Sequence, residues 1–237
     1  MKINRLDLIR VLKIVKSVEV NEVKFDEEGN FSILSGTSGI LFGKGLRLGR
    51  KLGIGDVDKL MSMLGQFPDI EVNVDFEDGK MQISGGKSLV YGYRLTGMEY
   101  IKNDVLPEKI EENLKGDWSE GDFGIEELQE IKKLFVVLES DEVKEVAGNL
   151  VFFSEDGMLK CRVGNRARNF GQIVLGEMSL DSEYVFWVAK INKLINVLDE
   201  SKIKLMFKQG AKRILVVKMK EFCWILGALI EEKEEVK

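Results

Sequence analysis

Lysine and arginine side chains recur at helical spacing in four stretches of this sequence, and the chemistry open to them is anion binding. In each stretch, apolar residues repeat at intervals of three and four, which predicts an amphipathic helix with the bases on or beside its polar face. The candidate residues are Arg10, Lys13 and Lys16 in 5–18, Lys59 in 56–66, Lys132 and Lys133 in 125–139, and Lys190 and Lys193 in 188–199.

Other site chemistry is largely excluded by composition. The chain contains no histidine, so it has neither a Ser-His-Asp nor a Cys-His catalytic arrangement, and no zinc site that needs histidine. Its two cysteines, Cys161 and Cys223, lie in strand-like stretches and are expected to be small buried hydrophobes. The glycine-rich stretch 36–55 lacks the Gly-Lys-Ser/Thr ending of a nucleotide-binding loop. We therefore expect no cofactor, no metal site and no enzymatic activity.

The composition predicts a globular chain with an uneven charge distribution. Of 237 residues, 44% are hydrophobic and 32% charged, which is enough to build one large or two small cores. The formal net charge is −5, but the acidic excess lies in residues 102–122 and in the tail from Ala228, which leaves the rest close to neutral. Without a signal peptide or an apolar run of about 18 residues, a cytoplasmic location is expected: the host cytoplasm or nucleoid if the protein is viral.

The order of predicted elements repeats, which indicates a tandem duplication. The pattern of 57–64 recurs at 191–198, aligning Lys59 with Lys193 at a shift of 134, and the first and third helices align Arg10 with Lys133 at a shift of 123. In each half we expect a helix, strands, a second helix and an antiparallel meander, which is an α+β class. The predicted division is an N-terminal domain 1–101, a connector 102–123 and a C-terminal domain 124–237.

Turn signals and alternating apolar residues place the strands. Asp78-Gly79 and Gly85-Gly86 are hairpin signals within the first meander, and Gly148-Asn149 is matched to Gly29-Asn30 as the corresponding turn. The second half is expected to include a strand at Val143–Ala147 and a basic loop at Arg166–Arg168.

Two helix-strand repeats, an acidic connector and a final strand at 222–226 followed by an acidic tail resemble a DNA polymerase sliding clamp. The pattern is similar to PCNA, and the length to the T-even bacteriophage type of processivity factor. The resemblance implies two-domain subunits that close head-to-tail into a ring, typically a homotrimer, with sheet outside and helices inside. The eight basic residues would then face double-stranded DNA, while a DNA polymerase and a clamp loader dock outside.

The resemblance also implies a pocket for partner peptides beneath the connector. The candidate residues are Ile40, Leu41, Val105, Leu106, Pro107, Leu229 and Ile230. Trp118 is either a lid over this pocket or an anchor for the connector. The subunit contact is expected at edge strands near Arg166–Leu175 and Met81–Ile83.

Three alternatives stay open at this stage. The first keeps the fold without the ring, as a viral polymerase accessory factor that holds DNA by charge alone. The others are a carboxylate- or lysine-based enzyme in an α+β fold and an interaction module that does not bind DNA. For any single lysine, a solvated helix face is the competing interpretation.

Overall fold

The computed structural model describes residues 1–35, 39–86, 88–138, 142, 148–164, 169–199, 202–210 and 212–229. The chain divides into two compact units, Met1–Glu111 and Glu112–Lys237. Both units combine helices with antiparallel strands, which confirms the predicted α+β class. The predicted strand at 143–147, the basic loop at 166–168 and Ile230 lie outside the described residues.

The first unit contains two helices that begin at side-chain caps, α1 (Arg5–Ser17) and α2 (Val57–Gly65). Before α1, the Asn4 side chain accepts a hydrogen bond from the Leu6 amide at 2.9 Å. Before α2, the Asp56 carboxylate accepts one from the Lys59 amide at 3.0 Å. Each cap satisfies an amide that the first helical turn leaves without a partner.

The described residues of the first unit also form eight strands. They are β1 (Lys2–Asn4), β2 (Val23–Phe25), β3 (Asn30–Ser35), β4 (Gly39–Lys44), β5 (Leu52–Ile54), β6 (Glu71–Glu77), β7 (Lys80–Gly85) and β8 (Leu89–Arg94). The first sheet has the antiparallel order β1-β6-β7-β8, while β2 pairs with β5 and β3 with β4. Asp78 and Gly79, both at positive φ, form the β6–β7 turn as predicted.

Helix α3 (Pro107–Leu114) spans the boundary between the units, and the second unit follows the order of the first. Its helices are α4 (Ile125–Leu134) and α5 (Val188–Ile195). Its strands are β9 (Trp118–Gly124), β10 (Asn149–Glu155), β11 (Met158–Gly164), β12 (Phe170–Glu177), β13 (Tyr184–Trp187), β14 (Lys202–Lys208), β15 (Ile214–Lys218) and β16 (Phe222–Gly227). Helix α4 lies against β9, β11 and β12, and α5 lies against β10 and β13.

The strand pairing confirms the duplication. The order β1-β6-β7-β8 of the first unit recurs as β9-β14-β15-β16 in the second. The pairs β2–β5 and β3–β4 recur as β10–β13 and β11–β12. Each unit therefore repeats one helix-and-sheet arrangement, with its apolar helix faces buried in its own core.

The registers predicted for the duplicated helices are wrong by one turn. Ile3 pairs with Val72, and Phe123 pairs with Ile203, so the repeats differ by 120 positions before the first helix and 131 after the second. The starts of α2 and α5 make equivalent main-chain hydrogen bonds, which is consistent with the shift of 131. The amide of Val57 donates to the Asn21 carbonyl, and the amide of Val188 donates to the Gly148 carbonyl. Lys59 therefore corresponds to Lys190 rather than Lys193, and Lys133 corresponds to Lys13 rather than Arg10.

Two further expectations need correction. Gly148-Asn149 does not form a turn equivalent to Gly29-Asn30: Asn149 is the first residue of β10, which pairs with β13 as β2 pairs with β5. The counterpart of Gly29-Asn30 is the turn at Asp156-Gly157, which joins β10 to β11. In addition, β7 is flanked by β6 and β8, so Met81–Ile83 is not a sheet edge.

The stretch 102–123, expected as a connector, contains regular structure: most of strand β9 as well as helix α3. The predicted domain boundaries stay a prediction.

Candidate nucleic-acid interface

Helix α1 carries most of the basic charge of the first unit's helices. Lys13 is exposed, Arg10 is half-buried, and Lys16 forms an ion pair with Asp58 of α2 at 2.8 Å. This ion pair joins the two adjacent helices and partly neutralises Lys16. Within the described residues, the Lys13 ammonium has neither a hydrogen bond nor an ion pair, so it is available to an anion.

Helix α2 contributes one exposed base, Lys59, close to acidic groups. Its main-chain amide is held by Asp56, while its ammonium has no partner among the residues that the structure describes. With Asp58 on the same short helix, α2 has no net charge of its own. The positive surface of this unit is therefore centred on α1.

In the second unit, the first helix is the less basic of the two. Helix α4 carries Lys132 and Lys133 but also Glu126, Glu127 and Glu130. Lys133 forms an ion pair with Glu130 at 2.5 Å, and Lys132 is half-buried. The charge of α4 is therefore less positive than its two lysines alone would make it.

Helix α5 carries Lys190 and Lys193 and no acidic residue. The Lys190 ammonium lies 4.4 Å from the centroid of the Trp187 ring, which is the geometry of a cation–π contact. Lys193 is half-buried in the last turn. Helix α5 is therefore the positive element of the second unit.

The corrected registers reduce the repeated basic positions to two equivalent pairs, Lys13 with Lys133 and Lys59 with Lys190. The four other candidates have no basic counterpart: Arg10 corresponds to Glu130, and Lys193 to Ser62. The assignment of all eight residues to a DNA surface stays a prediction.

The candidate peptide-pocket residues of the first unit lie on two faces of the β3–β4 hairpin. Ile40 is half-buried and pairs with Leu34, which is 51% exposed, whereas the neighbouring Leu41 is 1% exposed and faces the core. Strand side chains alternate between faces, so Ile40 and Leu41 cannot line the same surface.

The segment that precedes α3 runs beside this hairpin. The Ser32 hydroxyl accepts a hydrogen bond from the Val105 amide at 3.2 Å and donates one to the Val105 carbonyl at 2.9 Å. Val105 is buried, Leu106 is 61% exposed, and Pro107 begins α3. The apolar side chains on the outer surface of this hairpin and segment are therefore Leu34, Ile40 and Leu106. The sequence analysis missed Leu34.

Leu229, the remaining described pocket candidate, belongs to the second unit. It is half-buried, and its amide donates a hydrogen bond to the Val185 carbonyl at 2.8 Å. The C-terminal segment is therefore tied to β13 as far as this residue.

Trp118 anchors the end of α3 within the second unit. Its indole N–H donates to the Leu114 carbonyl at 3.2 Å, and its ring lies 5.6 Å from the Lys208 ammonium. Lys208 in turn donates to the Asn113 carbonyl at 3.2 Å, so a cation lies at the negative end of the helix. Of the two roles left open for Trp118, these contacts support the anchor.

Two terminal strands expose apolar side chains: β12, which lies in the edge predicted near Arg166–Leu175, and β8, which the sequence analysis did not single out. Strand β8 ends the β1-β6-β7-β8 sheet, and β12 ends the β12-β11-β10-β13 sheet. Val90 on β8 is 59% exposed, while Phe170 and Val174 on β12 are 48% and 55% exposed. Unpaired strand edges with apolar side chains are surfaces on which another strand can add.

The described residues contain no group of three acidic, cysteine or histidine side chains arranged to hold a metal ion. Cys161 and Cys223 are buried as predicted, and desolvation raises the pKa of both thiols, that of Cys223 to about 12. In the part of the chain that the structure describes, no helix is long and apolar enough to cross a membrane.

No protein-family model and no curated protein matches this sequence. Solved DNA polymerase sliding clamps, however, match nearly its whole length. The DNA polymerase III beta subunit of Thermotoga maritima matches with a TM-score of 0.71 and 11% identity, covering 98% of this chain and 64% of that one. The corresponding subunit of Pseudomonas aeruginosa matches with a TM-score of 0.66 and 14% identity over 99% and 66%.

The A. fulgidus PCNA, solved with the C-terminal region of FEN-1, matches with a TM-score of 0.68 and 16% identity over 98% of both chains. This chain thus spans just under two thirds of the bacterial beta subunits and almost all of that PCNA. At these identities the likeness establishes the architecture, and it confirms the predicted resemblance at that level: the chain has the fold of the DNA polymerase sliding clamps.

Proposed function

We propose that this protein is a DNA sliding clamp, a non-enzymatic processivity factor that encircles duplex DNA and tethers a replicative polymerase. The observation that carries the proposal is the duplicated clamp fold with lysines at equivalent helix positions in both units. A surface repeated in this way presents similar charge around a ring, which suits a helical polyanion. The A. fulgidus PCNA, of nearly the same length, is the comparison that supports a two-unit subunit.

The proposed DNA surface consists of Lys13, Lys59, Lys133 and Lys190, with Arg10, Lys16, Lys132 and Lys193 beside them. Phosphate contacts of this kind do not read base sequence and weaken as salt releases counterions from DNA. The acids on α2 and α4 keep the surface only moderately basic. A moderately basic surface fits a protein retained on DNA by closure of a ring rather than by affinity, because a strong hold would oppose sliding.

We propose that the ring is a homotrimer closed head-to-tail, with β8 of one subunit adding to β12 of the next. A head-to-tail contact joins two different surfaces, and it closes when the rotation between subunits completes a circle. Val90 on one edge and Phe170 and Val174 on the other supply the apolar part of this contact. A solution mass near three times 26.9 kDa is the expected result.

We further propose that polymerase and clamp-loader peptides dock on the outer apolar residues of the first unit, Leu34, Ile40 and Leu106. The predicted participation of Val105, Pro107, Leu229 and Ile230 stays part of this proposal, as does a connector at 102–123. Short apolar peptides bind to partly exposed apolar surfaces of this kind because contact removes both from water. The phage or viral origin implied by the resemblance in length to the phage clamps, with a location in the host cytoplasm or nucleoid, is also part of this proposal.

The test is loader-dependent DNA synthesis on a circular primed template and on linear DNA with open ends. Replacing the four equivalent lysines (Lys13, Lys59, Lys133 and Lys190) by glutamate should shorten the products to the length made without clamp. The matched control replaces four exposed lysines off the helices and outside the connector (Lys51, Lys80, Lys212 and Lys218) by glutamate, which changes the net charge equally.

The control variant should support long products, and wild-type protein should be lost from open linear DNA while it remains on circles. Unchanged processivity in the helix variant would overturn the assignment of these lysines to the DNA. Equal retention on linear and circular DNA, with a steep salt dependence, would instead establish the accessory factor that binds by charge alone.

A further inference from the structure

Strand β8 presents an alternating set of side chains at the open edge of its sheet. Val90, Gly92 and Arg94 are exposed on one face of the sheet, whereas Tyr93 is buried on the other. A side chain added at Gly92 would meet no atom within 4 Å, so the space above this residue is open. The Arg94 guanidinium has no hydrogen bond and no ion pair among the residues that the structure describes. The edge therefore offers an apolar side chain, a gap and a cation, each two residues apart.

Strand β12 presents a second alternating set at the open edge of its own sheet. Phe170, Gln172 and Val174 are exposed on one face, and Ile173 is half-buried on the other. The pairing of β12 with β11 is regular from Phe170 to Val174 and then shifts at a bulge, which leaves Leu175 without a partner on β11. A bulge exchanges the faces of the side chains that follow it, so the alternation that begins at Phe170 ends at Val174.

The two alternations restrict how the strands can pair. Side chains directly opposite one another lie on the same face, so in an antiparallel pair Val90 stands opposite Val174, Gln172 or Phe170. With Val90 opposite Val174, the whole of β8, residues 89–94, lies along 175–170. With Val90 opposite Gln172 or Phe170, only 89–92 or 89–90 have partners, because β12 begins at Phe170. The first register therefore makes the most main-chain hydrogen bonds, and it also brings the two valines together.

In this first register Phe170 stands opposite Arg94 and diagonal to Gly92. Opposite side chains have Cβ atoms about 5 Å apart, and an aromatic face within about 6 Å of a guanidinium attracts it. The ring also covers the main chain that a glycine leaves bare, which stabilises a glycine at a sheet edge. A parallel pair with Val90 opposite Phe170 would instead set Arg94 opposite Val174, an apolar side chain that offers the cation nothing.

We propose that β8 of one copy and β12 of a second copy pair antiparallel with Val90 opposite Val174, so that Gly92 and Arg94 of one copy receive the Phe170 ring of the other. This inference rests on the proposed ring, for which it supplies the direction, the register and the anchoring side chain. The contact is directional, because each copy gives its ring to one neighbour and receives a ring from another.

The experiment is oxidative cross-linking of the full chain with one new cysteine on each strand. Val90→Cys with Val174→Cys should form covalent oligomers of two and three chains on a non-reducing gel. Opposite Cα atoms of an antiparallel pair lie about 4.5–5.5 Å apart, within reach of a disulfide, whereas separations above about 7 Å are not bridged. The natural cysteines give little background, because Cys161 and Cys223 are buried and desolvation raises the pKa of both thiols.

The matched control moves one cysteine by two residues on the same face. Val90→Cys with Gln172→Cys should cross-link about ten-fold more slowly, because the two positions are then diagonal. If the first pair of substitutions disturbs assembly, Gly92→Cys with Gln172→Cys tests the same register. Faster cross-linking of the control pair, or of Val90→Cys with Phe170→Cys, would overturn the proposed register.

The anchoring contact is tested by a double-mutant cycle followed by sedimentation. Arg94→Met should weaken each contact between copies about two- to five-fold, the factor that corresponds to an exposed cation–π contact. Adding Arg94→Met to Phe170→Leu should have no further effect, because the ring is then absent. Leu6→Ala removes an apolar side chain of similar exposure from α1, 46% against 48% for Phe170, and should leave association unchanged. An equal effect of Arg94→Met with and without the ring would refute this contact.

Failure of this inference differs from failure of the proposed function. A protein that forms trimers and supports processive synthesis, but cross-links through none of these cysteine pairs, would overturn the inference and leave the clamp intact. A protein that neither forms trimers nor supports processive synthesis would overturn the proposed function itself.

Discussion

Replacing Tyr93 by phenylalanine tests how strand β8 holds the start of α2. The Tyr93 hydroxyl accepts a hydrogen bond from the Asp56 amide at 2.9 Å and donates one to the Asp56 carbonyl at 3.0 Å. The residue is 3% exposed, and desolvation raises the pKa of its hydroxyl. One oxygen thus joins a strand expected at the subunit contact to a helix expected at the DNA.

The magnitude follows from the two bonds. Each hydrogen bond contributes about 0.5–1.5 kcal/mol of net stability, so the free energy of unfolding should fall by about 2 kcal/mol. The ring and its packing remain in the phenylalanine variant, so no cavity term adds to this value. Exchange of the Asp56 amide with solvent should accelerate by roughly thirty-fold, the equivalent of that free energy.

The assay is urea unfolding followed by circular dichroism, together with amide hydrogen exchange. The matched control is Tyr91→Phe on the same strand, where the ring packs edge-to-face 5.5 Å from Phe67. The Tyr91 hydroxyl has no hydrogen bond among the described residues, so this variant should stay within about 0.5 kcal/mol of wild type. Equal losses in the two variants would refute the role given to the Tyr93 hydroxyl.

Three further outcomes are expected. Desolvation is the main cause that raises the pKa of the buried Tyr184 hydroxyl to about 12. Because the hydroxyl ionises more readily in the unfolded chain, the stability of the wild type should decrease as the pH rises from 10 to 12, and Tyr184→Phe should remove this component of the alkaline loss. Val174→Lys or Val90→Lys should convert trimers to monomers in analytical ultracentrifugation with unchanged circular dichroism, and a trimer that persists in both would exclude these edges. Trp118→Ala should release the end of α3, seen as faster proteolysis at 112–117, whereas wild-type cleavage rates would contradict the anchor.

The sequence by itself determined the class of the protein. Alternating apolar residues located most strands, three-and-four spacing located the main helices, and the recurrence of that order revealed the duplication. The absence of histidine alone excludes catalytic sites that depend on an imidazole. These properties depend on local periodicity and composition, which a sequence displays directly.

The register of the repeat depended on tertiary structure. A helix has 3.6 residues per turn, so displacement by three positions leaves the apolar stripe nearly unchanged. The sequence therefore matched Lys59 to Lys193 as readily as to Lys190. Hydrogen bonds between strands permit no such displacement, and the pairs Val72 with Ile3 and Ile203 with Phe123 decided the match.

The environment of each candidate also depended on tertiary structure. Ile40 and Leu41 are neighbours in sequence, but the pleat of β4 sends one outward and the other into the core. Val90 is an ordinary strand residue until the sheet order places it on a terminal strand. Lys190 was one base among eight until strand β13 placed the Trp187 ring beneath it. Periodicity shows which faces are apolar, whereas pairing between distant segments decides which side chains meet.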